Sequence, residues 1–126
     1  MTERELKDRT KAFALRVLKL IDTLPDTRSG RVLAGQLGRS GTSVGANYRA
    51  ACRSRSTAEM ISKLSVVEEE ADESAFWMEL VADHGLLTRA KCASLLQEAG
   101  ELTAIMVASR KTLRFGNRKS GIENRK

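Results

Sequence analysis

Several things that other architectures depend on are scarce in this chain of 126 residues. Aromatic residues make up 4%, whereas a β-sandwich or barrel would be enriched in them. One Pro, with 41% hydrophobic and 30% charged residues, excludes collagen-like and globally disordered chains. No apolar run approaches the roughly 18 residues of a membrane-spanning helix, so no membrane partner is expected. The opening MTERELKDRTK has no apolar stretch of the signal-peptide kind. Cys52 and Cys92 are solitary, and no Cys-x-x-Cys or Cys/His cluster exists, which fits small buried residues in a reducing cytoplasm. What remains is one small, basic, helical domain with a modest core, expected in the cytoplasm.

The formal net charge of +6 is unevenly spread. Residues 1–55 hold 12 basic and 5 acidic side chains, a balance of +7. Residues 56–109 hold 3 basic and 10 acidic, a balance of −7. Residues 110–126 hold 7 basic and 1 acidic, a balance of +6. The body is thus neutral but polarised, and the whole excess lies at the end.

Apolar residues recur at helical spacing throughout, and no stretch alternates with period two. The spacing predicts a first helix over 3–24, with Leu6, Phe13, Val17, Leu20, Ile21 and Leu24 on one face before Pro25. A second helix over 28–53 carries Val32, Leu33, Leu37, Val44, Tyr48 and Ala51. Ser56-Thr57-Ala58-Glu59 reads as a capping box opening a third helix. Its stripe is Met60, Leu64, Val67, Ala71, Ser74, Met78 and Val81, and Gly85 ends it. Thr88 is the predicted cap of a fourth helix with Cys92, Leu95, Ala99, Leu102, Met106, Ser109 and Leu113, stopped at Gly116-Asn117. These elements predict an all-α, antiparallel up-down-up-down four-helix bundle over residues 1–116 and a disordered basic tail over 117–126.

The second helix contains Gly35, Gly38, Gly41 and Gly45, each costing about 1 kcal/mol against Ala in a helix interior. A phosphate-cradling loop would need a preceding strand or a Walker lysine, and neither is present. Close packing is the better reading, because Gly38, Gly41 and Gly45 share one helical face, with Asn47 near it. Around these residues, GRSGTSVGANYRAACRSRSTAEMISKLSVVEEEADESAFWMEL (38–80) resembles the bacterial "four helix bundle protein" family, above all in TSVGAN (42–47) and EEADES (69–74). That family includes proteins encoded by intervening sequences within large-subunit ribosomal RNA genes. It is distantly similar to the accessory variability determinant protein of diversity-generating retroelements. The resemblance extends over nearly all of residues 5–115 and implies a bundle assembling as a homopentamer. Its retroelement branch implies nucleic-acid binding beside a protein partner, a reverse transcriptase. Many members have a Glu three residues after the matching Asn; here Ala50 stands in that place, so no role of that Glu carries over.

The run Glu68-Glu69-Glu70-Ala71-Asp72-Glu73 invites a di-metal carboxylate site, but such sites need Glu-x-x-His motifs on two helices. The one His, His84, has Val81 three residues before it. By helical wheel, Glu69 and Glu73 point away from the apolar stripe, so the run reads as a solvated or salt-bridged face. No nucleophile elbow or Ser-x-x-Lys is present. Neither an enzymatic constellation nor a cofactor site is expected.

Two surfaces invite binding instead. Phe76, Trp77 and Leu80 lie roughly 100–160° from the centre of the third helix's stripe, and with Tyr48 and Val66 they form a candidate self-association face. Arg110, Lys111, Arg114, Arg118 and Lys119 form a candidate site for the phosphates of RNA or DNA. Arg39, Arg49 and Arg53 are complementary to the Glu68–Glu73 run, either within one chain or between neighbours. The combined expectation is a homopentamer that binds RNA or DNA without sequence preference. The alternative is an oligomeric scaffold for a partner protein with no nucleic-acid role.

Overall fold

A computed structural model of the chain describes the backbone of residues 1–124 and the side chains of residues 1–116. Four helices, α1 (Glu3–Ile21), α2 (Arg28–Cys52), α3 (Thr57–Asp83) and α4 (Arg89–Asn124), form an all-α up-down-up-down bundle. Each packs on the next in sequence, α1 and α4 close the circle most sparsely, and α1 and α3 lie diagonally across the bundle.

The helix ends follow local chemistry. Thr2, Thr27 and Ser56 each stand in extended backbone as N-caps, their hydroxyls accepting from Glu5, Gly30 and Glu59 N–H groups. Glu59 reaches back from α3, but to the amide of Arg55, one residue before the N-cap a capping box would use. The Thr88 hydroxyl accepts from the Lys91 amide at 3.3 Å at the start of α4. Beyond α3, Gly85 has φ +80 and closes a Schellman pair: its N–H donates to Ala82 and that of Leu86 to Val81.

Two predicted ends shift. The first helix stops at Ile21 rather than Leu24, with Asp22 as C-cap. A residue before Pro is turned away from helical backbone, and Thr23 closes the last turn by donating its hydroxyl to Leu20. The fourth helix does not stop at Gly116-Asn117, and its backbone runs on to Asn124. Gly116 meets no neighbour that would force a turn, and no Pro follows it. Residues 117–124, expected as tail, are thus helical in backbone, and the rest of the expected tail and the side chains of Arg118 and Lys119 lie outside the described residues.

The core is one apolar column. Leu6, Phe13 and Val17 of α1 meet Leu37, Val44 and Ala51 of α2, Leu64, Val67 and Met78 of α3, and Leu102 and Met106 of α4. A smaller cluster of Leu33, Val81 and Cys92 fills the end where α2 and α4 begin. Val32, expected inward, is 61% exposed, because its neighbour Leu33 occupies the core position. Three polar side chains buried in the bundle are satisfied: Thr10 donates to Leu6 O, and the Ser74 and Ser40 hydroxyls bond each other at 2.9 Å.

Candidate interaction surfaces

The α1–α2 seam is set by glycine. A Cβ at Gly41 would lie 2.7 Å from both γ-methyls of Val17, and one at Gly38 would lie 3.2 Å from Ile21 Cδ1. At Gly45 it would lie 3.3 Å from the Thr10 carbonyl oxygen, so the two backbones nearly touch there. Gly35 faces away from this seam and meets nothing within 4 Å. Gly30, which the sequence did not single out, is the tightest of all. A Cβ there would fall 2.0 Å from the Pro25 carbonyl, where the loop folds over the start of α2. Asn47 stands off the glycine face, and its Nδ2 donates to Ser43 O at 2.9 Å.

The polarised charge is partly spent on joining helices within one chain. Arg39 of α2 bridges Glu70 at 3.2 Å and Glu73 on α3. Arg110 of α4 pairs with Glu68 of α3 through both Nε and Nη2, and both side chains are mostly shielded from solvent. Arg9 of α1 holds Glu98 of α4 at 2.6 Å with a second contact to Glu101 at 3.7 Å. The Arg9 link and the contact from Arg16 to Ser94 tie the sparse α1–α4 seam. Charge pairing across helices is therefore a property of the single bundle for Arg39, whereas Arg49 and Arg53 do not reach the Glu68–Glu73 run.

Two residues singled out in the sequence have partners within the bundle. Arg110 pairs with Glu68 at the α3–α4 edge. Lys111 and Arg114 remain exposed. Tyr48 is only 3% exposed and belongs to the core, since its position continues the Leu37–Val44 stripe of α2. Burial, then a hydrogen bond with Cys52, pushes its phenol well above the usual tyrosine range. Of the other interface candidates, Val66 is exposed, Phe76 is 49% exposed, and Trp77 and Leu80 are half-buried. Trp77 packs into both core clusters, stacks edge-on with Phe76 at 5.2 Å and donates Nε1 to Glu73.

A basic groove that sequence reasoning missed runs along the α1–α2 seam. Arg4, Lys7 and Lys11 of α1 and Arg49 of α2 line it, with Asp8 among them and Gly45 at its floor. Residues 4, 7 and 11 share a helix face, where like charges repel by about 0.2–0.5 kcal/mol per pair. Arg4 approaches Asp8 at 3.6 Å, and among the described residues Lys7, Lys11 and Arg49 make no ion pair. The i, i+3, i+7 spacing was the signal available in the sequence.

Among the described residues no group of three His, Cys, Asp or Glu side chains is placed to hold a metal ion, and no helix is long and apolar enough to cross a membrane. Burial raises both thiols above their usual range. The molecule is thus a four-helix bundle with a glycine-tight seam, ion pairs between its helices and a basic groove along α1 and α2. The chain belongs to the 23S rRNA-intervening sequence protein family, whose description matches residues 3–108. A solved structure from Bacteroides thetaiotaomicron, a protein of unknown function from the S23 ribosomal protein family, is similar at 33% identity. It has a TM-score of 0.79, with 84% of this chain and 98% of that one covered. No curated protein matches the chain.

Proposed function

We propose that this protein is a non-enzymatic, cytoplasmic homo-oligomer, pentameric as the family resemblance implies, that binds the phosphate backbone of RNA or DNA. The observation that carries the reading is the α1–α2 groove, where Arg4, Lys7, Lys11 and Arg49 converge beside one carboxylate. Four cations gathered beside one carboxylate along one seam suit a polyanion, and phosphates are contacted through charge with little reading of bases. Lys111 and Arg114 on α4 add a second basic element, whereas Arg110 serves the bundle. Repetition around a ring multiplies the contacts and raises avidity without new chemistry.

The test is fluorescence anisotropy with labelled single-stranded RNA and duplex DNA over a salt series. Lys7→Glu with Lys11→Glu and Arg49→Glu should reduce the steepness of the salt dependence by about 0.7–0.9 per lost phosphate contact. Lys111→Ala with Arg114→Ala should have a smaller effect. Wild-type protein that binds neither probe at low salt removes the nucleic-acid role and leaves the scaffold reading, in which a partner protein such as a reverse transcriptase is the ligand.

A further inference from the structure

Beyond the Arg9–Glu98 link, toward the start of α4, the sparse α1–α4 seam opens into a groove of different chemistry. It holds about 400 Å³, a volume typical of small-ligand sites. Half-buried Leu20 of α1 and buried Leu95 of α4 give it an apolar floor. Arg16 and Lys19 on the α1 wall and Lys91 on the α4 wall are exposed, and no carboxylate is among the lining residues. Among the described residues these three cations make no ion pair. Glu98 of α4 is taken by Arg9. Asp22 stands three residues from Lys19, and counting it against Lys19 still leaves Arg16 and Lys91 unanswered. Arg16 is fixed across the seam by donating Nη2 to the Ser94 hydroxyl at 2.8 Å, which occupies one of its several guanidinium donors.

We infer that this groove binds a small anionic amphiphile, an acyl carboxylate whose chain lies on the leucine floor and whose head sits among Arg16, Lys19 and Lys91. The ligand class follows from the two features together. A phosphodiester brings charge but no apolar body, and would leave Leu20 and Leu95 uncovered. A neutral hydrocarbon would cover the floor and make no use of the cations. An acyl carboxylate uses both: burial of its chain against the floor and the cations' methylene stems supplies affinity, and charge-assisted bonds to Arg16 fix its orientation. The Ser94 hydroxyl, which accepts from Arg16, keeps its own proton to donate to the head. Touching both walls, the ligand ties α1 to α4 where the bundle is most sparsely closed, so its binding stabilises that seam. The assignment is independent of the nucleic-acid reading, because no residue lining this groove lines the one along α1 and α2.

The test is a titration with decanoate below its micelle concentration, followed by amide chemical shifts in NMR. The amides of Leu20, Thr23 and Ser94 should shift and saturate, and neither acetate nor decanol at equal concentration should match the effect. Arg16→Glu with Lys91→Glu should weaken decanoate binding about tenfold or more, and circular dichroism should show wild-type helicity because both positions are exposed. Lys19→Gln with Lys91→Gln spares the Arg16–Ser94 link and should weaken binding less steeply. Wild type without saturable shifts would overturn the site, as would decanol binding as well as decanoate, or both variants binding decanoate as wild type does. Labelled single-stranded RNA should leave decanoate in place. RNA that displaces it from these amides would give the groove to phosphate and overturn the amphiphile. Wild type that binds decanoate but no RNA would keep this site while removing the nucleic-acid role.

Discussion

Replacing Gly41 with Ala asks whether the α1–α2 seam is set by contact or by accident. The new methyl would sit 2.7 Å from Cγ1 and from Cγ2 of Val17, and 3.0 Å from its Cβ. Val17 is fully buried and β-branched, so it has one strongly preferred rotamer in a helix. Because both γ-methyls are struck, rotating the side chain exchanges one clash for another, and the helices must separate instead. Overpacking of this kind costs about 1–3 kcal/mol. Ala regains about 1 kcal/mol of helix propensity over Gly, which leaves a net destabilisation of about 0–2 kcal/mol. Gly35→Ala is the internal control, since its Cβ meets nothing within 4 Å. That variant should be stabilised by about 0.5–1 kcal/mol. Thermal melts by circular dichroism at one fixed protein concentration would separate the two, at about 3–6 °C per kcal/mol for a chain of this size. Val17→Ala removes both offending methyls, so Gly41→Ala should be less harmful in that background than alone. Gly41→Ala melting as high as Gly35→Ala would refute the reasoning.

Tyr48, the single tyrosine, should resist ionisation. Its folded value lies above the unfolded one, so its contribution to stability is complete below about pH 10 and is lost as pH rises through the folded value. Absorbance at 295 nm should rise only with alkaline unfolding, whereas a phenolate appearing near pH 10 with helicity intact would contradict its burial. Arg110→Ala should destabilise the bundle by about 1–2 kcal/mol in urea titration, between the values for exposed and buried pairs. Lys111→Ala should change it by less than about 0.5 kcal/mol, and equal effects would show that Glu68 does not hold Arg110.

The sequence was most informative where one local rule decides. The Leu64–Val81 stripe, the Ser56 cap and the positive-φ Gly85 each depend on spacing or backbone stereochemistry within a few residues, and all three stand as read. Tyr48 was read both as core and as interface, and its place on the Val44–Ala51 stripe decides for the core. Arg110 and Arg39 show what spacing alone cannot reach. Both lie near helix edges, and whether a long cation meets a carboxylate depends on the axial offset of two helices, which periodicity within one helix does not encode. The basic groove escaped for a related reason. Its α1 residues share a face by spacing, but Arg49 joins them only because Gly45 lets α2 come close.

The weak closure between α1 and α4 has a kinetic consequence. Every substantial helix pairing joins neighbours along the chain, and the seam between the first helix and the last is the sparsest, held in part by polar links such as Arg9 to Glu98. A chain with so few distant contacts to find collapses by successive local additions, on the microsecond-to-millisecond scale of low contact order. The seam that forms at least gain is also the one that opens at least expense, so α1 should lose amide protection before the α2–α4 unit does. The α1–α4 edge is the joint at which this barrel is expected to open first.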